Sequence, residues 1–469
     1  MSNASITRLL ARPFSNPIAA GVIYAAVLMG LGAYIVAGVS ITPFHGDEAT
    51  QIAMSRDYTL IFREGNLDVV RYQENPADPA VQELRLINGV VNKLLVGLAL
   101  SLRGYMADDL NQPWDWGADW DYNIANGHAP STDLLIAARL PSALLTALGL
   151  LPMFALGWMV GGRSGALIAV VLYALHPALL VNGRRAMMEG SMIAFSLFTV
   201  LAGVWFARTR SWWSAMLLAL AAGLALASKH TAVFTLVAVY GACALLVLVD
   251  FARASREHAD KPPVRALLWL VLSAVGALML FYALNPTWWG DPIGRAGQVL
   301  ALRSDLLAGQ TTAFGGYPDT GAALSGWLRQ AFIPPAQYYE VPAWAGAISG
   351  EISAYEASAL DGVRDLQAAG LEGVLFNLLL PLAALAGLGS LIGRGSRNPR
   401  ARTVIVLWVV AMVVTTALLT PLEWQRYYLP VHPAAMLMAA AGAAWSTRPA
   451  QRSARASEGV EPPTRTDTA

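Results

Sequence analysis

Apolar residues in this chain are blocked into runs close to the length of a bilayer crossing, not spread at the spacing of an amphipathic helix. About twenty consecutive apolar residues span a hydrocarbon core as a helix. In lipid, only helices and closed barrels satisfy their own backbone. Such runs lie near 17–40, 134–160, 164–181, 190–207, 212–228, 231–249, 266–284, 371–393, 403–420 and 429–446. The pattern predicts an all-α polytopic membrane protein with about ten transmembrane helices. Composition agrees: 56% of the 469 residues are hydrophobic and 13% are charged, where a soluble domain carries about a quarter charged. The net charge of +1 comes without a clustered basic stripe, so nothing points to nucleic acid. The single Cys243, inside an apolar run, excludes an intramolecular disulfide framework and a cysteine-built metal site. The first run has no small-residue cleavage signature and reads as a retained signal anchor.

Two hydrophilic stretches, 41–133 and 285–370, interrupt the runs. Basic residues collect at alternate run ends, in pieces that include Arg8, Arg163, Arg208, Arg253, Arg394 and Arg448. Those pieces hold over half of the 32 Lys and Arg and under a fifth of the 31 Asp and Glu. The positive-inside rule then predicts a multi-pass inner-membrane protein with both termini cytoplasmic and both large loops on the outer face. The expected division is a cytoplasmic N-terminus (1–16), a bundle over 17–284 holding the first loop, a second loop (285–370), C-terminal membrane helices (371–446) and a disordered cytoplasmic tail (447–469). Within the first loop, 84–104 is apolar but carries Arg85, Asn88, Asn92 and Lys93 along one stripe. That stripe predicts an interfacial helix in preference to an eleventh crossing.

Charges recur at the expected outer face. Asp47-Glu48 follows the first run; Arg184, Arg185 and Glu189 mark the next outer turn; Lys229 and Arg426 mark two later ones. Carboxylates at a membrane mouth are costly unless used. One at an apolar boundary can act as a general base, or the pair can simply open a helix with Asp47 as its cap. Arg185 and Glu189, four apart, can pair on a helix; alternatively an Arg fork grips phosphate oxygens. Lys229 can snorkel to headgroups or meet a phosphate. Cations from separate turns at one level would form a clamp for a phosphate leaving group. Trp116 and Trp120, among carboxylates in 114–122, fit a headgroup belt or a substrate-lining wall, as does Tyr427. His45, Glu48 and His176 are the candidate ligands of a divalent metal, the only candidate cofactor. There is no internal repeat, P-loop, dinucleotide glycine motif or Cys/His metal spacing.

In this order the motifs resemble the GT-C superfamily of membrane glycosyltransferases, especially protein O-mannosyltransferases and the lipid A aminoarabinose transferase. The residues are Phe44-His45-Gly46-Asp47-Glu48, the loop helix at 84–104, Arg139-Leu140-Pro141-Ser142, Arg185 with Glu189, Gly223 through Lys229, and Arg426-Tyr427-Tyr428-Leu429-Pro430. Glu189 stands where the family usually has Asp. The resemblance implies transfer of a monosaccharide from a polyprenyl-phosphate-linked donor to a protein, lipid or glycan acceptor, with inversion. Asp47 would be the base, Glu48 and Glu189 would orient hydroxyls, and Lys229, Arg426 and Arg184 or Arg185 would hold the phosphate. The rival is a transporter or flippase of a lipid-linked sugar. Such proteins place ionisable groups near the bilayer midplane, whereas the charges here gather at one mouth. A scaffold protein would need no such constellation.

Overall fold

The computed structural model describes residues 16–256, 263–332, 335–363, 371–393 and 398–446, with the side chains of 371–377 left aside. The expected terminal segments before residue 16 and after 446 lie outside these residues. All regular structure among the described residues is helical. The class is the one the apolar runs predict, and each run carries a helix. Among the described residues six stretches are long and apolar enough to cross a membrane, or seven if the bent pair Pro79–Ile87 and Val90–Leu102 counts as one. The apolar helix Trp212–Ser228 falls short of that length, Val431–Ser446 has 16 residues, and Leu371–Ile392 has 22.

Glycine decides how the longest stretch folds. Thr132–Ala174 is 43 residues long, yet Gly162 breaks it at φ 67°, ψ −151°, a conformation only Gly adopts easily. The chain doubles back there: a Cβ on Gly157 would stand 2.7 Å from the Gly165 carbonyl oxygen. Small residues let these two arms touch through their backbones. The hairpin separates two of the expected spans and packs on Val431–Ser446, where Gly161 meets Ala444. Val431–Ser446 also meets the helix Leu371–Ile392 through Gly387 and Gly442. Glu189–Thr209 is the most buried long span. Pro17–Ala37, capped by the Asn16 side chain, buries only Ala20, Tyr24 and Ile35, the all-round apolar surface of a lipid-facing helix.

The stretch at 84–104 corrects the sequence reading. It is two helices, Pro79–Ile87 and Val90–Leu102, meeting at 110°. Gly89 makes the corner, with no room for a Cβ against the Ser228 carbonyl. The polar stripe faces inward, not toward headgroups: Asn92 and Lys93 are buried. Lys93 lies 2.6 Å from Asp57, and Arg85 grips the same carboxylate at 2.7 Å. Burial works to raise Asp57, but Lys93 and Arg85 outweigh it and hold it below its ordinary value. A polar stripe reads the same whether it meets water or a buried carboxylate.

The two large loops pack on each other over one end of the bundle. Phe44 N–H donates to Glu351 at 2.8 Å, Gly46 N–H to the Tyr339 hydroxyl at 2.7 Å, and Thr287 to the Val70 carbonyl at 2.8 Å. The second loop therefore lies directly over the acidic turn.

Candidate active site

The acidic turn is built by its own cap. His45 takes extended backbone and accepts the Asp47 N–H at Nδ1 (3.1 Å), while Glu48 reaches back to the His45 N–H (3.2 Å). This reciprocal cap starts the helix Gly46–Met54 and sends its two acids in different directions. Glu48 turns inward and is fully buried. Arg139 holds it with two hydrogen bonds of 2.7 Å, and Ala186 N–H donates to it at 2.8 Å. Arg139 spends its remaining donor on the Val39 and Thr42 carbonyls (2.9 and 2.7 Å). Every lone-pair direction of Glu48 that matters is occupied, so it fixes the turn and does not face an acceptor. That corrects its expected role.

Asp47 faces the other way, with its side chain 30% exposed. It is bound by Nη1 of Arg426, and His45 Nδ1 lies 3.8 Å off. The Nε of Arg426 is 3.0 Å from Glu340, whose other oxygen meets His45 Nε2 at 2.9 Å. Asp47, Arg426, Glu340 and His45 thus close a ring of polar contacts around one guanidinium. Burial works to raise Asp47, but Arg426 and then His45 outweigh it and hold the carboxylate below its ordinary value. Glu340 is likewise buried yet held well below the usual carboxylate range by Arg426 and His45. Arg426 is firmly charged: burial opposes it, and Glu340 and Asp47 more than compensate.

Beside the ring stands a second charge group. Lys229 pairs with Glu189 at 2.5 Å, while the other oxygen of Glu189 is buried without a partner. Arg303, on the loop helix Pro292–Phe314, interacts electrostatically with Tyr427, Arg426, Asp47 and Glu189, and burial lowers its pKa. Its Nη2 donates to the Ile87 carbonyl at 2.5 Å. Tyr427 donates to Gln310 of the same loop helix at 2.7 Å. An aromatic wall stands over the ring. His45 stacks on Tyr339 at 4.3 Å; Trp116 lies 5.9 Å from His45 and 4.9 Å from Trp344; Trp120 lies 5.1 Å from Trp114. Trp116 is 40% exposed, so this wall is open on one side.

Arg184 and Arg185 do not join the site as phosphate ligands. Arg184 donates to the Ile35 and Tyr34 carbonyls (2.8 Å each) and the Tyr355 hydroxyl (2.7 Å). It closes the carbonyl end of the first helix, where a cation belongs, and ties it to the second loop. Arg185 donates to the Pro43 and Tyr338 carbonyls at 3.1 and 2.6 Å, pinning the acidic turn. The expected metal set is also dispersed. His176 stacks on His432 at 4.3 Å. His45 uses both ring nitrogens on Glu340 and Asp47 N–H. Among the described residues no group of three or more His, Cys, Asp or Glu is placed to hold a metal ion. The Arg426 guanidinium already stands between Asp47 and Glu340, where a cation would go. These residues do not fit a divalent metal.

Sequence reasoning missed Glu340 and Arg303, and quoted Arg139 without a role. Glu340 lies in a turn of the second loop and Arg303 on its 23-residue helix Pro292–Phe314, and nothing local in the sequence points from either to the acidic turn. Arg139 was readable only as a motif, because its partner Glu48 is 91 positions away.

With this geometry in place, likeness to known proteins can be weighed. Residues 94–284 match the family model described as dolichyl-phosphate-mannose-protein mannosyltransferase. The match covers under half of the chain. No curated protein matches it by sequence. Among solved structures it is similar to the S. cerevisiae protein O-mannosyltransferase complex bound to the sugar donor, at 15% identity and TM-score 0.39, over 69% of this chain and 37% of that one. It is similar to the Archaeoglobus fulgidus oligosaccharyltransferase in complex with an inhibitory peptide and a dolichol-phosphate, at 12% identity and TM-score 0.49, over 93% of this chain and 52% of that one. It is also similar to ArnT from Cupriavidus metallidurans bound to undecaprenyl phosphate, at 13% identity and TM-score 0.36, over 96% and 82% of the two chains. The chain thus spans about a third of the yeast chain and half of the archaeal one.

Proposed function

We propose that this GT-C-like protein transfers a monosaccharide from a polyprenyl-phosphate-linked donor to an acceptor at the outer face of the inner membrane, with both its termini cytoplasmic. The observation that carries the reading is the Asp47–Arg426–Glu340 ring with Lys229 and Arg303 beside it. Here a partly exposed carboxylate paired with Arg426 stands near Lys229, from a second turn, and Arg303, from a loop helix. The resemblance to mannosyltransferases supports the donor class.

The chemistry runs as a single displacement. Asp47 takes the proton of the acceptor hydroxyl as its oxygen attacks the anomeric carbon. The bond from that carbon to the phosphate oxygen breaks, and the lipid phosphate leaves with the electron pair, so configuration inverts. Lys229, Arg426 and Arg303 stabilise the departing charge, each charged donor being worth about 3 kcal/mol when well placed. Glu189 orients a sugar or acceptor hydroxyl through its unpartnered oxygen. Trp116, Trp120 and Tyr427 line the substrate path.

In the resting site Asp47 is a poor base, because Arg426 holds it ionised at low pKa. A donor phosphate competes for the same guanidinium. Binding it draws Arg426 toward the phosphate and brings negative charge beside Asp47, and both changes raise the carboxylate toward a working value. The donor thereby switches on the base.

Two measurements bear on this reading. Arg303→Gln weakens binding of a tritiated polyprenyl-phosphate sugar to the protein in nanodiscs by about tenfold or more; an unchanged affinity removes Arg303 from the phosphate site. Because Arg426 fills the place of a cation, EDTA leaves transfer unchanged. A loss restored by Mg²⁺ or Mn²⁺ would show that a metal displaces Arg426 and would overturn the assignment of its role.

A further inference from the structure

The far end of the bundle holds a cavity lined by two arginines. Glu189 and Arg208 lie at opposite ends of the 21-residue helix Glu189–Thr209, about 30 Å apart along its axis. At the Arg208 end a cavity of about 220 Å³ is lined by Met159, Val160, Arg208, Leu391, Asn398, Ala401, Arg402 and Ile405. Four elements meet there: the hairpin, the Arg208 helix, Leu371–Ile392 and Pro399–Leu418.

Charge at this end is unbalanced around the cavity. The neighbouring Arg210 and Arg400 share Asp250. Arg208 and Arg402 have no carboxylate partner among the described residues; Arg402 donates only to the Gly393 carbonyl, at 3.1 Å. Two guanidinium groups with no carboxylate partner among the described residues therefore line a cavity walled by Met159, Leu391 and Ile405. Guanidinium forks match phosphate oxygens, and the apolar wall matches the glycerol and first methylenes of an acyl chain. Basic pockets between membrane helices on the cytoplasmic side take lipid headgroups, and the charge bias of the sequence assigns this end to that side.

We propose that the cavity binds the phosphate headgroup of an anionic phospholipid from the leaflet opposite the candidate active site. The site is independent of the transfer reaction and uses none of its residues. A lipid held there ties four elements together at the end where the chain lacks any covering loop helices among the described residues.

The test is lipid retention by the full-length protein, read by native mass spectrometry after exchange into micelles doped with phosphatidylglycerol or phosphatidylcholine. Wild type retains phosphatidylglycerol over phosphatidylcholine. Arg208→Gln lowers that retention about fivefold and the Arg208→Gln/Arg402→Gln pair about thirtyfold. Arg208 is exposed, so its substitution spares the fold. Arg208→Lys, which keeps charge but loses the fork, falls between wild type and Arg208→Gln. Arg265→Gln, an exposed arginine at the start of the helix Val264–Leu284, leaves retention unchanged. Equal retention in wild type and the double variant would overturn the proposal. Displacement of the lipid by millimolar inorganic phosphate would also overturn it, by showing a site for a soluble anion.

Discussion

Asp47→Asn lowers sugar transfer by about 10²–10⁴-fold, the range a positioned general base supplies, while donor affinity and thermal stability stay near wild type. The reason is geometric. Asp47 is the one acid of the turn that points away from the protein interior, and asparagine keeps its size and its acceptance of a hydrogen bond from Arg426. A pH dependence follows from the same pairing. In the free protein Asp47 is depressed by Arg426 and His45, so the acid limb of kcat/KM, which reports the free enzyme, lies below the ordinary Asp value of about 4. The acid limb of kcat, which reports the complex, lies higher, because the donor phosphate shares Arg426. Coincident limbs would mean that the donor leaves the Asp47–Arg426 pair untouched.

Arg139→Met destabilises the fold by about 3–5 kcal/mol, the cost of stranding one partner of a buried ion pair. Glu48 would lose its partner while fully buried, and the Val39 and Thr42 carbonyls would each lose a donor. The readout is the thermal midpoint of the protein in detergent. Glu48→Ala has a similar effect, and the double substitution costs less than the two singles added, because the stranded charge is gone. Additive losses would show that the pair does not act as a unit. The contrast between the two neighbouring acids is itself a test: substitution at 48 removes stability, substitution at 47 removes chemistry.

The spans were legible because lipid imposes one rule on every crossing, and a run such as Pro17–Ala37 obeys it in plain sequence. Their bounds were legible as well, Trp212–Ser228 matching its run, but the partner of the lysine that follows it was not: Lys229 meets Glu189, 40 positions away. The mouth of the site was legible at Asp47, Lys229, Glu189 and Arg426, which are charges where charge is expensive. What the sequence left open was which member of an adjacent pair is free. Asp47 and Glu48 are chemically alike and next to each other. On a helix neighbours face different ways, and only the position of Arg139 decides which one is consumed. Arg184 and Arg185 pose the same problem, and both prove to be spent on backbone carbonyls. Arg303 and Glu340 lay in a loop where no repeat or period marks a residue as inward-facing.

The most direct test of the central claim is transfer from a panel of radiolabelled polyprenyl-phosphate sugars by the purified protein in lipid, wild type against Asp47→Ala, with donor binding measured in parallel. The account predicts that wild type transfers at least one sugar, and that the variant binds this donor but does not transfer it. Full turnover by Asp47→Ala would contradict the assignment of the base. Donor binding without transfer in wild type, unchanged by the substitution and accompanied by donor movement across the bilayer, would contradict the enzyme reading in favour of a flippase.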